Sequence, residues 1–371
     1  MKNNRLIKSV RYILLSIFLI FVTVEAYLHQ VLGGRKSPSI HALCPYGELE
    51  SMYSLVFNGT FIQKIFSGTF ILLMLTLILA IVFRRSFCGL ICPFGALQEF
   101  FGVLGKKLFK KRFVMNKNID KPLRYLKYII LVVTLYYAWI TAGLWVNPYD
   151  PWAAYGHISS GFSSLKEEYP IGFMILILIL IGSLLYDRFF CKYLCPIGAL
   201  YGIISKFSLT KITRDKDRCI NCNLCSKNCP VNINVSELSE INSSECINCN
   251  LCMIACPSDK VLDIKTAGKS VKPLTNIILV ISIFLGGIMI TKATGLYEVT
   301  PPKITASTRI TADEIKGYMT LEEISVAFKI ELNELYERLQ IPASIPKDTP
   351  LKEIKNFIPG FEVETVRELL R

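Results

Sequence analysis

Cys219-Ile220-Asn221-Cys222-Asn223-Leu224-Cys225-Ser226-Lys227-Asn228-Cys229-Pro230 is followed by Cys246-Ile247-Asn248-Cys249-Asn250-Leu251-Cys252-Met253-Ile254-Ala255-Cys256-Pro257. Each run is C-x2-C-x2-C-x3-C-P, and the second begins 27 residues after the first (246 − 219). This is the spacing at which thiolates hold [4Fe–4S] clusters. Three closely spaced thiolates wrap one cube, while the fourth, just before Pro, turns away and ligates the neighbouring cube. Cys219, Cys222, Cys225 and Cys256 are thus expected round one cluster, and Cys246, Cys249, Cys252 and Cys229 round the other. Zinc and disulfides are the alternatives. Zinc takes four ligands in C-x2-C pairs, which gives no reason for two identical runs at a fixed offset.

The surrounding chain is too apolar for a soluble carrier. Of 371 residues, 52% are apolar and 19% charged, with a formal net charge of +13. The Lys and Arg residues cluster beside apolar spans, as the positive-inside rule requires. No basic face interleaved with aromatics is present, so nucleic acid is not an expected partner. Of thirteen cysteines, twelve fall into the two quartets and two C-x3-C pairs, leaving Cys44. Cluster thiolates need a reducing compartment, which excludes a secreted disulfide scaffold.

Five spans approach the ~20 residues needed to cross a bilayer: Val10–Tyr27, Phe61–Phe83, Tyr125–Val146, Ile171–Phe190 and Asn276–Thr291. The first resembles a signal peptide in its basic flank and in Val24-Glu25-Ala26, but either reading puts the next loop outside. Residues 84–124 carry ten Lys or Arg against Glu99 and Asp120, which marks a cytoplasmic segment. Counting spans then places the paired Cys runs inside, and Gly33–Thr60, Asn147–Pro170 and everything after Thr294 outside. Between Leu296 and Arg371 ten basic residues face thirteen acidic ones, a sign reversal that suits an exported tail. There, Thr320-Leu321-Glu322-Glu323 is a capping-box pattern leading into Ile324, Phe328, Leu332, Leu335 and Leu339 at helical spacing.

The spans contain a repeat. Phe87-Cys88-Gly89-Leu90-Ile91-Cys92-Pro93-Phe94-Gly95-Ala96-Leu97 matches Phe190-Cys191-Lys192-Tyr193-Leu194-Cys195-Pro196-Ile197-Gly198-Ala199-Leu200 at an offset of 103 (191 − 88). The same offset carries Cys44-Pro45-Tyr46 onto Asn147-Pro148-Tyr149. Both copies run from outer turn to inner cysteines, so the halves are parallel repeats about an axis along the membrane normal. A C-x3-C pair on a helix puts both sulfurs on one face, and Pro after the second Cys suits a helix end or a new first turn. Cys88, Cys92, Cys191 and Cys195 therefore offer four thiolates at the cytoplasmic boundary, the ligand count of a third iron–sulfur centre. Dithiol/disulfide pairs are the alternative redox use, and plain packing of buried thiols the bland one.

All three histidines lie toward the exterior. Glu25 and His29 are one turn apart in the first span, where ionisable groups are costly and mark a functional site by default. They are candidates to accept protons from a quinol, against an interfacial polar pair as the alternative. His41 and Cys44 form an H-x2-C pair in the outer loop, and His157 is weighed as a loop residue. Ala267-Gly268-Lys269-Ser270 lacks the remainder of a P-loop, Asn58-Gly59-Thr60 is a sequon in a loop, and no G-x-G-x-x-G argues for NADH.

The expected fold is a membrane α-helical protein of about five transmembrane helices with a duplicated two-helix unit. It carries an inserted bacterial 2[4Fe–4S] ferredoxin-like domain and a small helical C-terminal domain. The divisions are 1–213 for the duplicated unit, 214–272 for the ferredoxin domain, 273–295 for the last span and 296–371 for the extracytoplasmic tail. The twin Cys runs with two F-C-x3-C-P-x-G-A-L motifs resemble the NapH/NosR/YccM-like polyferredoxin membrane proteins, over roughly Val10 to Thr294. That resemblance implies a multi-pass protein of the cytoplasmic (inner) membrane. It would relay electrons between the quinone pool or cytoplasmic donors and an extracytoplasmic redox partner, with quinone a further candidate cofactor. It would act as an electron carrier or quinol-dehydrogenase-like subunit rather than a stand-alone enzyme. A redox sensor and a reductant for maturation of an extracytoplasmic metal centre are the competing readings. The exported flavin domain of NosR is missing, and the tail after Pro301 is not assigned by the resemblance to NapH.

Overall fold

The computed structural model describes residues 2–32, 36–49, 67–141, 146–258, 260–299, 312, 315, 317, 319–355, 357–358 and 360–370. The sequon, the first residues of the expected second span (61–66), the end of the third (142–145) and much of the loop 33–60 lie outside them. The chain forms two compact units, one of residues 1–31 and 38–299 and one of 32–37 and 300–371.

Among the described residues, three helices are long and apolar enough to cross a membrane: within α1 (Lys2–Leu32), within a helix spanning Lys117–Thr141, and Pro273–Ala293. Each turns large apolar side chains outward with no protein against them, among them Ile20, Val132 and Met289 at 62%, 67% and 71% exposure. Such faces call for lipid, and the chain is a membrane protein. The expected second and fourth spans form shorter apolar helices, α2 (Ser67–Phe83) and its repeat Pro170–Leu185. The 16 residues of the latter rise only about 24 Å; α2 is described from Ser67 onward. Backbone ends both: Arg84, directly after α2, takes a left-handed φ of 59°, and Tyr186, directly after Leu185, turns extended at φ −124° and ψ 118°.

After each break comes the same pair of elements: α3 (Ser86–Leu90) and α4 (Pro93–Phe109) in the first half, Phe189–Tyr193 and Pro196–Ser205 in the second. We number the remaining helices in chain order: α5 (Lys117–Thr141), α6 (Pro170–Leu185), α7 (Phe189–Tyr193), α8 (Pro196–Ser205), α9 (Leu224–Lys227), α10 (Leu251–Ala255) and α11 (Pro273–Ala293). Glycines let these helices touch. A Cβ on Gly105 of α4 would sit 1.8 Å from the Leu184 carbonyl oxygen of α6. The Tyr201 hydroxyl of α8 donates to Thr76 Oγ1 of α2 at 2.6 Å, tying the two halves together.

Four antiparallel strands carry the paired Cys runs: β1 (Thr210–Arg214), β2 (Glu240–Ile241), β3 (Leu262–Thr266) and β4 (Lys269–Val271), in the order β2-β1-β3-β4. Ile212 of β1 stands opposite both Ile241 and Ile264, and all three are buried at 0–1% exposure. This small apolar floor fixes where the Cys-bearing loops cross.

The second unit has its own core, with Ile315, Leu321, Ile324, Leu335, Leu351, Ile354 and Val366 at 0% exposure. The capping box is formed: Glu323 N–H donates to Thr320 Oγ1, and Thr320 N–H to Glu323 Oε2. The apolar stripe expected as one helix is two, α12 (Leu321–Phe328) and α13 (Leu332–Arg338). Lys329 turns left-handed at φ 56°, and Ile330 N–H closes back on the Ser325 carbonyl, a Schellman-type ending.

Candidate functional site

Two cavities open in the Cys-bearing domain. The first is lined by Cys219, Cys222, Cys225 and Cys256, the second by Cys229, Cys246, Cys249 and Cys252. Each therefore draws three cysteines from one run and one from the other. The loops wrap because Asn221, Asn223, Asn248 and Asn250 all take left-handed φ, between 48° and 62°. Asn tolerates that region better than other L residues, and successive turns of this kind aim peptide N–H groups inward. Cys219 accepts from the backbone of Asn221, Cys249 from Leu251, and Cys229 from Ile233 at 3.4 Å. The role of these asparagines is absent from a cysteine-only reading, although their recurrence at the same 27-residue offset signals it. Among the described residues no three His, Cys, Asp or Glu side chains converge on a single ion. The thiols instead ring cavities with apolar walls and inward N–H donors, a donor set that fits an iron–sulfur cube.

The two cavities differ in exposure. Cys222 is exposed and its neighbour Ile220 is 66% exposed, whereas Cys229, Cys246, Cys249 and Cys252 are all below 10%. Burial pushes the Cys229 thiol up to about 12, while backbone N–H and Arg214 pull Cys219 down. A buried thiol of that kind loses its proton only to a metal, so loading this cavity releases protons. The buried cavity faces the helices. A Cβ on Gly89 would stand 2.1 Å from the Ile247 oxygen and 3.4 Å from Cys249 Cα. Asn248 Nδ2 donates to the Phe83 carbonyl at the end of α2.

Gly89 adjoins Cys88, and here the four remaining paired cysteines meet. Cys92 interacts electrostatically with Cys191 and Cys88, and Cys195 with Cys191, Cys88 and Cys92. The pairs do not share one helix, as the spacing suggested. Cys88 and Cys191 lie in α3 and α7, while Cys92 and Cys195 are the N-caps of α4 and α8. Pro93 and Pro196 start those new helices, where a missing N–H costs nothing. The cap sulfurs accept from Gly95 and Gly198 N–H at 3.4 and 3.3 Å. Gln98 adds a third N–H···S contact, on Cys191, at 3.3 Å.

Buried charges surround this group, and the sequence reading gave them only a topological role. Glu99 is held by Arg11 at 2.5 and 2.6 Å and by Arg188 at 2.6 and 2.9 Å. Those two guanidiniums, outweighing burial, hold its carboxyl well below the usual range. Glu245, one residue before Cys246, pairs with Lys127 at 2.5 Å and Arg85 at 3.4 Å. Arg85 to Arg188 is the same 103-residue offset as the cysteines, a signal present in the sequence.

Glu25 and His29 are partly buried near the C-terminal end of α1. Glu25 lies 14 residues beyond Arg11, about 21 Å along the helix from the Glu99 ion pair, and its neighbour Ala26 packs in the same apolar cluster as Cys44 and Cys92. His41 approaches Asp150 at 3.9 Å, and the His157 ring lies tilted against Tyr169 with centroids 4.5 Å apart. Cys44 departs from the outer-loop reading: it packs inward and interacts with Cys92 and Tyr201.

A family model described as a 4Fe-4S binding domain matches residues 67–112 and again 169–215, the two repeat halves. A 4Fe-4S dicluster model matches residues 211–257. YccM of Escherichia coli K12, named for electron transport, is 30% identical over 201 residues, 54% of this chain and 56% of its own. The ferredoxin-type protein NapH of the same organism is 30% identical over 161 residues, 42% and 51% of the two chains. A Methanocaldococcus jannaschii protein is 30% identical over 200 residues, 53% of this chain and 76% of its own. The match thus spans about half the length of YccM and NapH. No solved structure matches the chain.

Proposed function

Because this chain belongs to the NapH/NosR/YccM-like ferredoxin-type proteins, we propose that it relays single electrons through three linked centres across the membrane boundary. Iron–sulfur electron transfer is the activity of the family; the order of centres and the partners are our reading. The exposed quartet Cys219, Cys222, Cys225 and Cys256 exchanges electrons with a cytoplasmic donor. The buried quartet Cys229, Cys246, Cys249 and Cys252 comes next. Cys88, Cys92, Cys191 and Cys195 form the third centre and hand on toward an extracytoplasmic redox protein. Bound clusters supply the one-electron chemistry, while the chain sets their spacing, dielectric and N–H···S bonds.

The observation that carries this reading is the contact of Gly89 with the Ile247–Cys249 loop, which seats the buried quartet directly on the C-x3-C group. The family model named for 4Fe-4S binding covers both C-x3-C-P copies, which supports the third centre. Five spans, a cytoplasmic ferredoxin domain and an exported tail complete the proposal, supported by the basic run 84–124 and the acidic tail. Glu25 and His29 are candidates for quinol protons, supported by the packing of their neighbour Ala26 in the apolar cluster that also holds Cys92.

Reduction of the purified protein by reduced ferredoxin and by quinol analogues tests the entry point. The proposal expects rapid reduction of the clusters by ferredoxin through the exposed quartet. Clusters that stay oxidised with both donors contradict a relay.

A further inference from the structure

The arginines ahead of the two C-x3-C pairs are exchanged between the halves. At the repeat offset Arg85 corresponds to Arg188, and Gly95 to Gly198 (188 − 85 = 198 − 95 = 103). Arg85 Nη2 donates to the Cys191 carbonyl of the second half at 3.4 Å, and Arg188 Nη1 to the Cys88 carbonyl of the first at 2.5 Å. Each guanidinium also fills the space above the other half's glycine. A Cβ on Gly198 would stand 2.7 Å from Arg85 Nη2, and one on Gly95 2.8 Å from Arg188 Nη1. Both arginines are buried, at 1% and 0% exposure. Arg85 acts electrostatically on Cys88, Cys195 and Cys191, and Arg188 on Cys191 and Cys249.

The local charges do not balance without an anion. Glu99 faces two buried guanidiniums, Arg11 and Arg188, while Glu245 faces Arg85 and Lys127. Each carboxylate is outnumbered, and the surplus cation lies beside four thiols. In a low-dielectric interior such a surplus is costly unless paired. Neutral thiols or disulfides carry no charge to offset it; iron-bound thiolates do. The N–H groups of Gly95 and Gly198 on the cap sulfurs point the same way.

Resting on the three-centre reading, we propose that Arg85 and Arg188 are positioning residues for a net-negative, thiolate-bound iron–sulfur centre on Cys88, Cys92, Cys191 and Cys195. Each arginine grips the opposite half and offsets the charge of the reduced state. A cation at this distance favours the added electron, so its loss makes reduction harder.

The test is an EPR-monitored redox titration of the full-length purified protein. The variants are Arg85→Gln, Arg188→Gln, Gly198→Ala and Gly95→Ala; the alanines keep both charges and displace the guanidiniums. Arg85→Gln should lower the midpoint of the C-x3-C signal by a tenfold change in the one-electron equilibrium, about 59 mV, leaving the signal of the Cys219 quartet in place. Arg188→Gln should lower that midpoint and also the one assigned to the Cys249 quartet, with the Cys219 quartet unmoved. The alanine variants should shift the C-x3-C midpoint in the same direction by less, and they decide the matter if an arginine variant does not fold. A C-x3-C signal at the wild-type midpoint in every folded variant overturns the arginine proposal. A wild type with no signal that Cys88→Ser removes overturns the three-centre reading beneath it.

Discussion

At the scale of single residues, ligand exchange between the two Cys runs has a specific consequence. Cys229 belongs to the first run but lines the second cavity, and Cys256 the reverse. Cys229→Ser should therefore damage the buried centre and spare the exposed one, with Cys256→Ser doing the opposite, as read by spin quantitation. Loss of the same signal in both variants would contradict the exchange. Glu48 offers a second test. It is fully buried, neither carboxylate oxygen has a hydrogen-bond partner, and burial pushes its carboxyl up to about 7. A carboxyl raised on folding binds its proton more tightly in the native state. Its effect is thus harmless at low pH and destabilising as pH rises from about 4.5 through 7. Glu48→Gln should raise the thermal midpoint at pH 8 and leave it unchanged near pH 4. The grouping of the eight cysteines round two cavities was legible in sequence because their spacing is local. Arg85 and Arg188 were not read, although they repeat with the cysteines, because arginine at the end of a span ordinarily reports topology.

Secondary-structure elements were legible where hydrophobic period and cap chemistry agree, and misjudged where a left-handed or extended residue intervenes. The Thr320–Glu323 capping box formed as its letters imply. Thr320→Ala should cost the tail unit about 1 kcal/mol, seen as a lower midpoint for that unit alone. The stripe beyond it reads as one helix because Leu332 and Leu335 keep the period, yet Lys329 turns left-handed between them. The expected second span ends at Phe83 as read, with Arg84 left-handed beyond it, whereas the fourth stops at Leu185, short of Phe190, because Tyr186 turns extended. Helix contact was also invisible in sequence. Gly105→Ala inserts a methyl where the Leu184 oxygen already stands. We expect about 1–3 kcal/mol of destabilisation, the usual range for overpacking, measured as thermal stability in detergent. A neutral result would mean that α4 and α6 pack more loosely.

For the whole molecule, duplication explains why the C-x3-C pairs lie where they do. The two halves bring their C-x3-C segments together, and the Cys-bearing insert follows the second half directly through β1. The repeat was legible as matched motifs; the inward fold of Cys44 was not, since its counterpart Asn147 gave no precedent for a thiol there. The account's central claim is that electrons reach the far side only through the C-x3-C thiols. Proteoliposomes containing the full-length protein, with reduced ferredoxin outside and a trapped redox dye inside, measure that flux directly. We predict dye reduction with the wild type, and none with Cys191→Ser although its two ferredoxin clusters still reduce. Wild-type flux through Cys191→Ser would contradict the claim.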